Sequence, residues 1–323
     1  MKLAAPKAAL LVGAAVFFSP LAQAASCCGG GSSSALVLPK FSSAMADVSF
    51  DMEQYDGFWN KQGELLSDPP GSDLNQYRLN VGYAHRLASR WQTSLMLPYV
   101  WNDNQYSGIP TSTNGLGDAK VSLWYEAFDG VTCVWKVRKP SDLKPAAYFG
   151  ATLTVPTGTS PYDEVDNSFD ITGRGFYRLD GTMLLEKTIY PWSASLLVSY
   201  GKYLERAVNR EYGSYVEPYD KNLGDRMLVT VSTGYTVFLD SMDTVTYTLA
   251  LSELNEDEAS INGRIDTTSG FKKRSATLTA AYATMDRDWV FKASWNHTLD
   301  RNGWGENFPI TDVLTVGVSH VLR

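Results

Sequence analysis

The chain has 323 residues, of which 44% are hydrophobic and 20% are charged, and its formal net charge is −7. This acidic balance argues against nucleic-acid binding, which requires clustered Lys and Arg, and three Cys residues are too few for a disulfide-rich scaffold. No Pro- or Ser-rich linker divides the chain after residue 45, so we expect a single domain.

The first 24 residues have the features of a secretory signal peptide. Lys2 and Lys7 give a positively charged start, an apolar run covers 8–18, and Ala22-Gln23-Ala24 supplies the small-x-small cleavage site. Cleavage there takes the formal net charge to about −9. The apolar run is shorter than the ~20 residues of a transmembrane helix, and no later segment offers a second candidate. A membrane span in the mature chain would therefore consist of strands.

Residues 25–44 are predicted to form a flexible N-terminal segment rich in Cys, Gly and Ser. Adjacent Cys27 and Cys28 suit a soft metal, because thiolates favour copper(I) or zinc, although two ligands make an incomplete site. Three other interpretations stay open: a disulfide to Cys133, lipidation of Cys27, and a tail with incidental thiols. The stretch 29–44 is also long enough to enter a barrel lumen as a partial plug.

Strict alternation of apolar and polar residues predicts twelve β-strands in 45–323. The pattern is clearest at 289–299, where Trp289 and Phe291 share one face while Lys292 and Ser294 share the other. The predicted strands cover 45–55, 76–87, 91–101, 117–128, 145–155, 174–189, 192–204, 225–238, 244–254, 272–285, 289–299 and 311–322.

The connections between these strands alternate in length. Tight turns follow the second, sixth, eighth and tenth strands, and one longer connection, 129–144, lies at the same end. Long loops fill the opposite end: 56–75, 102–116, 156–173, 205–224, 255–271 and 300–310. An even strand number with alternating short and long connections is typical of outer-membrane barrels.

We therefore predict an all-β fold, a single antiparallel transmembrane β-barrel of about 12 strands with both termini in the periplasm. The predicted location is the outer membrane of a Gram-negative bacterium. A soluble secreted β-sandwich would explain the alternation of apolar and polar residues. It would not explain the alternating lengths of the connections or the aromatic residues at the strand ends.

The same register assigns side chains to the two faces of the wall. Apolar residues point outward, whereas small, polar and charged residues point into the lumen. The inward charged residues, which are our candidates for lumen lining and selectivity, are Asp47, Asp51, Glu53, Arg78, Arg86, Asp118, Lys120, Glu126, Arg178, Asp180, Glu186 and Lys292. Opposed cations and carboxylates would create a field that selects solutes, or they would simply pair to fill a narrow interior.

An enzymatic function is not expected. A serine hydrolase needs a His base beside its nucleophile, and the three histidines, His85, His297 and His320, all fall on the lipid side. No cofactor is predicted. Acidic clusters at 163–166 and 256–258 would suit calcium, although solvated loop surface is the commoner role.

Two short motifs carry a family resemblance. Asn114-Gly115-Leu116-Gly117-Asp118 opens the fourth strand, and Leu153-Thr154-Val155-Pro156-Thr157-Gly158 closes the fifth. The pair resembles outer-membrane barrel transporters of the phenol-degradation-pathway type. The resemblance implies passage of small molecules, with aromatic or hydrophobic ones as candidates, across the outer membrane.

The predicted function is a channel or transporter for passive passage of small solutes. The alternative is a barrel that serves a periplasmic redox or metal-binding protein through its Cys27-Cys28 tail. Predicted partners are outer-membrane lipid and lipopolysaccharide, a small-molecule solute and, in the alternative, that periplasmic protein.

Overall fold

The computed structural model describes residues 36–39, 42–127, 133–165 and 169–323. Long strands dominate it, and all twelve predicted strands are present with boundaries shifted by a few residues. They are β1 Ala44–Trp59, β2 Asp73–Ala88, β3 Trp91–Tyr106, β4 Ala119–Glu126, β5 Ala146–Val155, β6 Arg178–Ile189, β7 Trp192–Tyr203, β8 Arg226–Phe238, β9 Thr244–Glu256, β10 Phe271–Ala283, β11 Trp289–Thr298 and β12 Phe308–Leu322.

The strands form one closed antiparallel barrel. Each pairs with its neighbours in chain order, and β12 pairs with β1, with Ala44 opposite Leu322 and Tyr55 opposite Thr311. This confirms the predicted twelve-stranded barrel. Closure leaves no unpaired edge in the ring, so the backbone groups of the wall are satisfied by neighbouring strands.

The two ends of the barrel differ, and we name them by their connections. Tight turns join β2 to β3, β6 to β7, β8 to β9 and β10 to β11 at the turn end, where β1 begins and β12 ends. The 3₁₀ helix Pro140–Leu143 lies at the same end, between β4 and β5. Long connections gather at the opposite end, the loop end.

Several shorter strands lie outside the ring. Ile109–Leu116 pairs with the part of β3 that projects beyond β4, and Leu65–Leu66 pairs with the end of β1. A second sheet at the loop end contains Arg206–Glu211, Ser214–Asn222, Ser260–Ile261 and Arg264–Ile265. The sequence predicts loops for these segments, because their Gly, Pro, Asn and charged residues interrupt the alternation of apolar and polar side chains.

The outer face of the wall is apolar. Exposed outward side chains include Val48, Val81, Leu95, Leu97, Val121, Leu123, Leu153, Val231, Leu249, Leu251, Leu278, Leu314 and Val316. Trp91, Trp192 and Trp289 lie near the turn end, and Trp101 and Trp295 lie further toward the loop end. This pattern suits a lipid-facing surface flanked by aromatic residues. Among the described residues, no helix has the length and apolar character needed to cross a membrane.

Candidate functional site: the barrel lumen

The lumen contains all twelve charged residues that the sequence placed there. Alternate positions on every strand point inward, so the strand register brings side chains from distant parts of the chain together. Eight of these charged residues are buried: Asp47, Asp51, Glu53, Arg78, Glu126, Arg178, Asp180 and Lys292. Arg86, Asp118, Lys120 and Glu186 are half-buried.

A first network of charges lines the wall at β1, β2 and β11. Arg78 Nη2 lies 2.8 Å from Glu53 Oε2, and Arg78 Nε lies 3.5 Å from Asp51 Oδ2. Lys292 Nζ lies 3.0 Å from Asp47 Oδ1. These five residues, the first-wall network, comprise three carboxylates and two cations.

Neutral residues complete the hydrogen bonding of these carboxylates. Thr315 Oγ1 donates to Asp51 Oδ1 at 2.8 Å, and Asn80 Nδ2 donates to Asp51 Oδ2 at 2.9 Å. Ser319 Oγ donates to Asp47 Oδ1 at 2.5 Å. Such donors offset part of the cost of removing the carboxylates from water.

A second network lies across the lumen on β6, β8 and β9, with one residue from the loop between β5 and β6. Arg178 Nε donates to both oxygens of Asp180 at 2.9 Å. Arg174 Nη1 and Nη2 bind the two oxygens of Glu256 at 2.6 and 2.7 Å, and Arg226 Nη1 lies 3.8 Å from the same carboxylate. These five residues, the second-wall network, comprise three cations and two carboxylates.

Tyr203 on β7 links Arg174 and Arg178 of the second-wall network. Its hydroxyl accepts hydrogen bonds from Arg174 Nη1 at 2.7 Å and from Arg178 Nη1 at 3.0 Å. Both guanidinium groups also lie over its ring, 5.2 and 5.3 Å from the centroid. The ring face attracts these cations, so Tyr203 holds two arginines at one place in the wall.

The two networks lie on opposite sides of the lumen, since β1 and β7 are opposite strands in a ring of twelve. Lys273, buried at an inward position of β10, interacts electrostatically with Glu53 and Arg78, so three cations face the three carboxylates of the first wall. The second-wall network has one cation more than its carboxylates. Charged rings and rows of this kind tune which solutes pass through a pore.

Three members of the second-wall network, Arg174, Arg226 and Glu256, are not among the residues predicted from the sequence, and neither is Tyr203, which contacts two of its arginines. The alternation on β8 could have identified Arg226, which shares the inward parity of Thr230 and Ser232. Glu256 lies two residues beyond the predicted end of its strand, in the acidic cluster 256–258 that the sequence assigns to a loop. Arg174 belongs to a loop whose inward course alternation cannot reveal.

The loop between β5 and β6 folds into the lumen at the loop end. On one side, Asn102 Nδ2 and Asn104 Nδ2 of β3 donate to the carbonyl oxygens of Ile171 and Phe169, both at 3.0 Å. On the other side, Arg174 reaches Glu256 of β9. Since β3 and β9 are opposite strands, the described part of this loop, 156–165 and 169–177, crosses the lumen at its loop end. We call it the inward loop.

The two family-like motifs contact each other at the base of the inward loop. Asp118 Oδ1 accepts from the backbone N–H of Gly158 at 3.3 Å, and Asp118 Oδ2 accepts from that of Arg174 at 2.8 Å. Thr157 Oγ1 donates to the Gly117 carbonyl at 2.6 Å. The motifs thus anchor the inward loop to the start of β4.

Close backbone approach explains two glycines at this anchor. A Cβ on Gly158 would lie 2.8 Å from the Gly173 backbone, and a Cβ on Gly173 would collide with the Asp118 carboxylate. Only glycine leaves room for the carboxylate between the two arms of the loop.

The turn end of the lumen is apolar. One inward cluster consists of Met45, Ala84, Met96 and Val321, and it includes Leu36 and Leu38 from the segment before β1. A second cluster consists of Trp124, Ala146, Tyr148, Leu184 and Leu197, with Val37 packed against it. We call these wall residues the apolar collar. Residues 36–39 therefore enter the lumen, in agreement with the partial plug considered from the sequence.

Arg86 connects the wall to the chain that enters the lumen. Its Nε donates to the Ser42 carbonyl at 2.7 Å, and its Nη2 donates to the Pro39 carbonyl at 3.1 Å. Its Nη1 also lies 3.9 Å from Glu126 Oε2. Lys120 and Glu186 complete the predicted inward set, opposite Thr154 and Ser195 in the strand register.

The predicted cysteine sites are only partly described. Cys133 is exposed, with a free thiol among the residues that the structure describes. It begins a short strand, Cys133–Val134, that runs parallel to the end of β6. The Cys27-Cys28 metal site and the signal peptide 1–24 lie outside the described residues. Within the described ranges, no group of three or more His, Cys, Asp or Glu residues is arranged to hold a metal ion.

The acidic loop clusters are engaged by cations and hydroxyl groups. Glu258 pairs with Lys61, and Glu164 pairs with Arg210. Asp163 Oδ2 accepts from Ser160 Oγ at 2.7 Å. Asp166 lies outside the described residues.

No protein-family model matches this sequence, and no curated protein matches it. The fold is similar to that of an outer membrane channel from Pseudomonas putida F1, with 14% sequence identity and a TM-score of 0.65 over 89% of this chain and 97% of that chain. The β domain of the Bordetella autotransporter BrkA matches at 12% identity and a TM-score of 0.49, over 87% and 99%. A deltaS2S3 mutant of the TodX monoaromatic hydrocarbon channel matches at 11% identity and a TM-score of 0.39, over 87% of this chain and 90% of that chain. At these identities the likeness to the first structure concerns the fold alone.

Proposed function

We propose that this protein is an outer-membrane channel for passive passage of small solutes in a Gram-negative bacterium. The observation that carries the proposal is a closed wall with an apolar outer face and an inner face that is polar and charged except at the turn end. This arrangement of the two faces is typical of a barrel that is set in lipid and contains water. The shared fold with a bacterial outer membrane channel supports the same function.

The size of the ring supports small solutes. Twelve strands place this barrel between eight-stranded barrels, whose side chains fill the interior, and porins of about 16 strands, which leave a wide aqueous channel. The inward loop and residues 36–39 narrow the lumen further at its two ends.

We further propose a preference for solutes with an aromatic or hydrophobic part, as in transporters of the phenol-degradation-pathway type. Support comes from the apolar collar at the turn end and from the two short motifs that anchor the inward loop. A solute that passes both regions meets charged walls first and apolar walls second.

We also propose that the protein is not an enzyme. His85 and His297 occupy outward positions on β2 and β11, where a general base would face lipid. His297 Nδ1 lies 3.0 Å from Asp312 Oδ1, and this pair is on the outer face of the wall, away from the lumen networks.

Liposome swelling with solutes of graded size and polarity tests the proposed function. We expect small solutes to enter protein-containing liposomes faster than protein-free liposomes, with the rate falling as solute size rises. Passage of no solute, together with metal or cytochrome capture that is lost in Cys27→Ser/Cys28→Ser, would favour the redox-partner alternative and overturn the channel.

A further inference from the structure

Residues 36–39 occupy the lumen although they are not part of its wall. Leu38 is only 1% exposed and Leu36 only 7%, and both pack in the cluster formed by Met45, Ala84 and Met96. Gly82 makes room for them, since a Cβ there would lie 3.0 Å from Leu36 Cδ2. Two leucines of a non-strand segment are thus as buried as core residues.

The segment also links opposite parts of the collar. Leu36 and Leu38 contact the cluster on β1, β2, β3 and β12, whereas Val37 packs against the cluster on β4 to β7. Three consecutive side chains therefore fill the space between walls that do not otherwise pack together in one cluster. An apolar contact across a lumen excludes water and ions at that level.

Among the residues that the structure describes, few polar contacts hold the segment in place. The backbone N–H of Leu38 donates to Gln92 Oε1 at 2.5 Å, and Arg86 Nη2 donates to the Pro39 carbonyl at 3.1 Å. The segment pairs with no strand of the ring. Its removal would leave every hydrogen bond between wall strands intact.

The docked arrangement leaves buried donors unused. Gln92 Nε2 and Trp124 Nε1 are buried and find no acceptor within the described part of the chain. Buried donors without acceptors raise the free energy of the state that contains them. The docked segment is therefore held by apolar contact rather than by a complete hydrogen-bond network, and this suits a contact that can be released.

We propose that Leu36–Pro39 is a stopper that closes the lumen at the turn end when docked in the apolar collar and opens it when released. The proposal rests on the channel function above and adds its regulation. The occupant of the collar is this chain's own segment, and the apolar side chains of Leu36 and Leu38 provide the attachment. Release exposes the collar, Gln92 and Trp124 to the solute path.

Single-channel recording on the full-length protein in planar bilayers tests the stopper. Leu36→Ser/Leu38→Ser should raise the fraction of time spent in the open state by about tenfold or more, because two leucine side chains lose their burial. The matched control is Leu65→Ser/Leu66→Ser, the same change at two exposed residues of the loop end, and it should behave like the unchanged protein. A heat-modifiable gel shift confirms that each variant forms the barrel.

The outcomes separate the stopper from the channel. Equal open fractions in the unchanged protein, the stopper variant and the control would overturn the stopper and leave the channel function standing. Absence of current from all three folded proteins would overturn both the stopper and the channel function. If the open fraction of the control variant rises as much as that of the stopper variant, the stopper is also contradicted. Such a result would assign the effect to a general destabilisation of the barrel.

Discussion

Arg78 is the residue on which the first wall depends most. Its guanidinium group contacts Glu53 and Asp51 at once, and Glu53 and Asp51 are 2% and 5% exposed. A buried ion pair adds little net stability, but removal of one partner leaves a buried charge with nothing to offset its desolvation. The lumen charges therefore constrain the fold in addition to lining the lumen.

Arg78→Met should destabilise the barrel by about 3–5 kcal/mol, because it leaves two buried carboxylates without their cation. The urea midpoint of unfolding in detergent micelles, followed by the heat-modifiable gel shift, measures the loss. The control Arg78→Met/Asp51→Asn/Glu53→Gln removes the charges together and should recover most of the stability. Equal midpoints for the single and triple variants would contradict the ion-pair explanation.

The residues of the site differ in how far the sequence could predict them. Asp51 and Arg78 follow from alternation alone, because each lies on a long strand with an unambiguous apolar face. Tyr203 shares the inward parity of Ser195 and Ser199 on its predicted strand, so alternation gives its position but not its contacts with arginines from other elements. Arg174 follows from no periodic pattern, since its position depends on the path of the inward loop.

At the scale of elements, the inward loop is held by its base. Its two arms come within backbone contact at Asp118, Gly158 and Gly173. From the same base, the Arg174 side chain reaches Glu256 on β9. The sequence predicted a long loop here and two motif corners, but their mutual contact could not be predicted, because loop paths depend on packing rather than on periodicity.

Gly173→Ala should release the inward loop from its base, since the new methyl group would occupy the position of the Asp118 carboxylate. Loss of the two backbone hydrogen bonds to Asp118 costs about 1–3 kcal/mol. Limited proteolysis with trypsin should then cut after Arg174 about tenfold faster. Gly181→Ala is the matched control, because a Cβ there meets nothing within 4 Å. Unchanged cleavage in Gly173→Ala would show that the anchor does not hold the loop.

For the whole molecule, the sequence predicts the wall well and the contents of the lumen poorly. Alternation at segments such as 289–299 fixes both the strand and its faces, and an even number of such segments favours closure. Residues 36–39 show no alternation and are too short for any periodic signal, so their insertion into the collar could only be considered as one option. The second sheet at the loop end was missed for the same reason.

Cysteine block of single-channel current tests most directly whether solutes pass through the lumen between the two charged walls. In a Cys27→Ser/Cys28→Ser/Cys133→Ser background, Thr279→Cys places a thiol on the inward face of β10, and Leu278→Cys places one on the outward face of the same strand. A charged methanethiosulfonate reagent should reduce the current through the Thr279→Cys protein and leave that through the Leu278→Cys protein unchanged. Equal effects on both variants, or no current from either, would contradict a solute path through the lumen.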